Sequence, residues 1–136
     1  MNNRLDLTSL EKALSSLNRA LVRAMEAPID EELRDAAIQR FEYTFELCWK
    51  MLKRQLEQEL PNPAEADGYS YKQLFRVGGE RGLIDNVEAW FEYRERRNIT
   101  SHTYDADKAQ KVFEVIPQFA ADAKKLFDVL SERNAS

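Results

Sequence analysis

The chain has 136 residues and a mass of 15.9 kDa, which suits one core and a single domain over residues 1–136. Hydrophobic residues supply 43% and charged residues 32%, excluding disorder, while four glycines and four prolines are too few for a sandwich of many tight turns. A formal charge of −4 excludes a protein that coats nucleic acid through bulk positive charge and leaves room only for a local basic patch.

The first predicted element is a helix whose apolar face is Leu10, Leu14, Leu17, Leu21 and Met25, with Thr8 and Glu11 as a capping box. Pro28 interrupts it, and Asp30 caps the next helix. That second helix carries Leu33, Ala37, Phe41, Phe45, Trp49, Leu52 and Leu56 on one stripe. It should run for about 27 residues, roughly 40 Å. Ile38, Tyr43, Leu47 and Met51 widen its apolar surface, so it should touch neighbours on two sides.

Pro61 to Gly68 reads as a surface loop. Ser70 and Gln73 suggest a capping box for a short helix with Leu74, Phe75 and Val77, loosened or ended by Gly78, Gly79 and Gly82. Asp85 and Glu88 suggest the start of a helix with Val87, Trp90, Phe91 and Arg94. Asp107 and Gln110 could open the last helix, marked by Val112, Ile116, Phe119, Ala123, Leu126 and Leu130, with a kink expected at Pro117. No period-2 strand stands out. The expected fold is all-α: an antiparallel up-and-down bundle of four to five helices.

No apolar run approaches membrane-spanning length, and Met1 to Leu10 lacks the layout of a signal peptide. One cysteine cannot form an internal disulfide, so a cytoplasmic location is expected. Cys48, beside Trp49, reads as a buried structural thiol. With one histidine in total, no metal-ligand cluster can be drawn, and no metal or cofactor is expected. Glu42 and Glu46 share a helical face and read as a solvated charge row or as partners for Arg40 and Lys50.

The segment from Tyr93 to Asp105 has almost no apolar rhythm, yet it holds the only histidine and Arg94, Arg96 and Arg97. Composition alone slightly favours a charged helix end followed by a turn, with the arginines at the negative terminus. The chemistry supports a second reading. Arginine is a fixed fork that matches phosphate, and histidine titrates near neutrality. On an unbroken helix Arg97 and His102 would lie about 140° apart, so they converge only if the chain turns or a second copy supplies the counterpart. Metal-free RNA cleavage needs a base for the 2′-hydroxyl, an acid for the leaving oxygen and positive charge on the phosphate. One histidine can hardly perform both proton transfers, so such an enzyme should be a twofold dimer.

Arg97-Asn98-Ile99-Thr100-Ser101-His102-Thr103-Tyr104 resembles the R-x4-H-x-Y motif of the HEPN superfamily's toxin branch, whose members are encoded beside a minimal nucleotidyltransferase. The run from Gln39 to Lys50 resembles the family's long second helix, and Gly82-Leu83-Ile84-Asp85 with Trp90 resembles the lead-in to the motif. The resemblance implies a helical bundle that dimerises along the motif helices and a metal-independent endoribonuclease used as a toxin. It assigns Arg97 and His102 as the catalytic pair and Asn98 as a polar helper. The local chemistry adds Arg94, from the arginine cluster, and Ser101 as RNA-binding support. The resemblance also implies a minimal nucleotidyltransferase antitoxin that attaches AMP to Tyr104. The alternative is a non-catalytic subunit that presents a nucleotide or other substrate to a nucleotidyltransferase.

Overall fold

The computed structural model describes residues 4–135. Residues 1–3 and 136, the ends of the expected domain, lie outside the described residues. The described chain forms five α-helices: α1 (Thr8–Glu26), α2 (Glu31–Glu59), α3 (Tyr71–Glu80), α4 (Val87–Arg97) and α5 (Ala106–Arg133). Single 3-10 segments lie at Pro63–Gly68 and Thr100–His102, and no strand occurs among the described residues.

Local chemistry sets most boundaries. The Asp30 carboxylate accepts the amides of Glu32 and Leu33, and Ser70 with Gln73 forms a reciprocal capping box. Three starts differ from expectation by a residue or two. Thr8 is already helical, and its amide is held by Asp6. Asn86 rather than Asp85 caps α4 through the Ala89 amide. Asp105 rather than Asp107 caps α5, accepting the amides of Asp107 and Lys108. Each of these stretches holds two or more good capping residues, and tertiary position selects among them.

The glycine pair does not end α3, which continues to Glu80. A Cβ at Gly79 would lie 2.5 Å from the Val87 side chain, so glycine here lets the start of α4 pack against α3. Gly82, at φ +76°, makes the turn that follows. α5 spans Pro117 as one continuous helix, 28 residues long.

The chain runs up and down. α1 pairs antiparallel with α2, where Thr44 reaches the Ala13 carbonyl and Arg40 reaches Ser16. α4 runs back along α5, with Asp85 beside Lys125 and Tyr93 beside Asp122. α2 and α5 run in the same direction, Phe41 meeting Phe119 and Glu59 meeting Arg133. Between them Phe41, Phe45, Phe75, Trp90, Tyr93 and Phe119 form one aromatic cluster of tilted and edge-on rings. The expected stripes of α2 and α5 supply most of this core, together with Ile38 and Met51. Met25 departs from its stripe: it is 58% exposed, because the buried face of α1 ends at Ala24, the residue before it.

Candidate functional site

Three elements build the site. α4 delivers Arg97 at its last turn, the 3-10 segment Thr100–His102 reverses the chain, and Asp105 starts α5. The chain thus turns between Arg97 and His102, the first of the two arrangements that their angular separation left open. The His102 amide donates to the Ile99 carbonyl, and the Asp105 amide to that of His102, so the reversal is a hydrogen-bonded unit.

Arg97 does not stand free. Its Nε–H donates to Glu46 Oε1 at 2.6 Å, and Nη1 lies 3.9 Å from a Glu42 oxygen. Glu46 is fixed in turn by the Trp49 indole, which donates to Oε2 at 2.9 Å. Thr100, buried beneath the turn, donates its hydroxyl toward Glu42 at 2.8 Å and lies equally close to the Arg97 carbonyl. The two glutamates therefore bind the motif rather than Arg40 and Lys50. Arg97 Nη2 donates no hydrogen bond among the described residues, so one arm of the fork is open to an anion.

His102 is half-buried, and its Nδ1 lies 3.2 Å from the Tyr104 hydroxyl. With the proton on Nε2, the tyrosine donates to Nδ1. Tyr104 is 82% exposed, the most accessible large ring in the described chain. The structure thus pairs His102 with Tyr104 and Arg97 with α2, and joins Arg97 to His102 only through the turn.

The supporting residues divide. Asn98 and Ser101 are exposed at the turn, Asn98 also closing α4 through its amide. The Arg94 guanidinium lies 3.7 Å from the Tyr71 ring centre, a cation–π contact that ties α4 to α3. Arg96 faces Glu92 at 3.5 Å.

Sequence reasoning missed Tyr93 and Asp122. The Tyr93 hydroxyl donates to the buried Asp122 carboxylate, whose other oxygen accepts from Gln118. Burial first, then the neighbouring carboxylate, pushes the Tyr93 phenol far above its usual range. The period of α5 pointed Asp122 nowhere in particular, because its neighbours Phe119 and Ala123 carry the stripe. Cys48 is fully buried, and burial pushes its thiol far above the usual range, as expected of a structural cysteine. Among the described residues no three His, Cys, Asp or Glu side chains group as metal ligands, and no helix is long and apolar enough to cross a membrane.

The sequence model of the family described as nucleotidyltransferase substrate binding protein like matches residues 5–132. The chain belongs to that family. Within it, the chain is 36% identical over 142 aligned residues to the probable ribonuclease HepT of Haemophilus influenzae, covering 98% of this chain and 97% of that protein. Two solved structures share the fold. HI0074 of Haemophilus influenzae, described as a substrate binding domain of a nucleotidyltransferase, superposes with a TM-score of 0.86 at 35% identity, over 92% of this chain and 98% of that one. A protein of Thermus thermophilus superposes with a TM-score of 0.73 at 32% identity, over 89% and 98% respectively. The all-helical bundle is thus a property of this nucleotidyltransferase-associated family.

Proposed function

We propose that this chain, as one HEPN-like domain in a homodimer, is a metal-independent endoribonuclease toxin neutralised by a minimal nucleotidyltransferase. The observation that carries the reading is the exposed turn on which the only histidine contacts an accessible tyrosine, next to an arginine with one open arm. In the reaction, a 2′-hydroxyl loses its proton to one His102 and attacks the adjacent phosphorus. The bond from phosphorus to the 5′-oxygen breaks, and that oxygen takes a proton from the His102 of the second copy. Arg97 offsets the charge on the phosphate in the transition state. The 36% identity to a probable ribonuclease supports this chemistry.

Neutralisation follows from Tyr104. Its Oη would attack the α-phosphorus of ATP on the nucleotidyltransferase, releasing pyrophosphate and giving up its proton to solvent. The product oxygen can no longer donate to His102 Nδ1, and a phosphate charge stands where RNA must approach. The family description supports such a partner. Inducing the chain alone should arrest growth, co-expression of the nucleotidyltransferase should relieve the arrest, and Tyr104→Phe should remain toxic despite it. Growth unimpaired by abundant, folded wild-type chain would overturn the toxin reading and favour a subunit that presents substrate, in line with the description of HI0074.

A further inference from the structure

In a chain of net charge −4, one surface stands apart. A groove of about 780 Å³ runs between α1 and α2 and carries Lys12, Arg19 and Lys50. A smaller one of about 180 Å³ shares Ser16 and Arg19 with it and extends it past Arg23 and Arg40. None of these five cations forms an ion pair among the described residues, whereas eight other basic side chains do. Arg19 and Arg40 are instead aimed by serine hydroxyls, through Ser15 at 2.8 Å and Ser16 at 3.0 Å.

The groove has a single acidic lining residue, Glu46, and that carboxylate is already held by Arg97 at 2.6 Å. The same residue therefore places the groove against the motif. Along α1 the cations from Lys12 to Arg23 span about 16 Å, enough to follow a strand rather than grip one ion. The exposed Tyr43 ring and Leu47 add apolar surface on the α2 wall, where unpaired bases could stack.

We propose that the α1–α2 groove is a track for the phosphate backbone of single-stranded RNA, leading to Arg97 and His102. Charge complementarity selects this occupant: the lining is cationic and hydroxyl-rich, and its one carboxylate is already neutralised. The inference rests on the ribonuclease reading for its purpose, but its test does not depend on cleavage.

The probe is a fluorescent single-stranded oligonucleotide with 2′-O-methyl riboses, which cannot be cleaved by 2′-oxygen attack. Its binding is followed by anisotropy across a salt series. The wild type should bind with a steep salt slope. The triple variant Lys12→Glu, Arg19→Glu, Lys50→Glu should lose on the order of tenfold in affinity at low salt and about two units of that slope. All three side chains are exposed, so folding should survive, which circular dichroism checks. A control triple, Lys72→Glu, Lys111→Glu and Lys125→Glu, makes the same charge change at exposed positions that line neither groove and should lose much less.

Equal binding by the two triples, or no salt-dependent binding by the wild type, overturns the track. So does a groove triple whose only change is in its oligomeric state, which would give the groove to a second copy. Parallel incubation of the wild type and the groove triple with unmodified RNA separates the two readings. Groove-dependent binding without cleavage keeps the track and removes the nuclease, while cleavage indifferent to the groove triple does the reverse.

Discussion

Glu46 performs two functions with one carboxylate, accepting Arg97 on one oxygen and the Trp49 indole on the other. Glu46→Gln would keep the size and one acceptor but lose the charge that orients the guanidinium. The pair is about one-third exposed, so the stability loss should stay under about 1 kcal/mol in urea unfolding. On the proposed mechanism the effect on RNA cleavage should be larger, about tenfold in kcat with KM little changed, since Arg97 would then act in the transition state. Tyr93→Phe should behave oppositely. It strips a donor from the buried Asp122 carboxylate, costing about 1–3 kcal/mol in urea unfolding. At this scale the sequence was legible where the local chain decides, as in the turn between Arg97 and His102. It was not legible where a partner lies far along the chain. Glu42 lies two residues from Arg40 and Glu46 one turn from Lys50, yet they bind Thr100 and Arg97, 58 and 51 residues away respectively.

The helices were largely readable because period and caps agree. The α5 stripe is buried from Val112 to Leu130, and Asp30 and Ser70 cap as their spacing implies. What the pattern could not give was the close packing of α3 on α4 that Gly79 permits, since a glycine pair looks the same whether it ends a helix or admits a neighbour. The Asp105 cap matters most for function, because it converts the His102 turn into α5. Asp105→Ala should cost about 1 kcal/mol of stability, read as a lower thermal midpoint, and should loosen the His102–Tyr104 contact.

Across the whole molecule, one clasp closes the end of the bundle remote in sequence from the motif. Glu59 on α2 binds Arg133 on α5 with both oxygens, at 3.0 and 2.9 Å, and Arg133 also reaches the Arg81 carbonyl. Asn134 links Gln55 to the Leu5 amide. Burial would raise the Glu59 pKa, but hydrogen bonds from Gln55 and Arg133 and the charges of Arg133 and Arg81 outweigh it and hold it below 4.5. A depressed carboxylate stabilises the fold above its unfolded pKa, and that contribution is lost as pH falls through the folded value. The urea midpoint of Glu59→Gln should therefore sit below wild type at about pH 7, with the gap closing toward about pH 3. A dimer would supply the second histidine that two proton transfers need, and sedimentation of the purified chain should give a twofold species.

The most direct test of the account is incubation of purified chain with single-stranded RNA in EDTA, beside His102→Ala. Cleavage by the wild type leaving 2′,3′-cyclic phosphate ends, and none by the variant, is the result the account predicts. Intact RNA with folded wild type, or equal cleavage by His102→Ala, would contradict it.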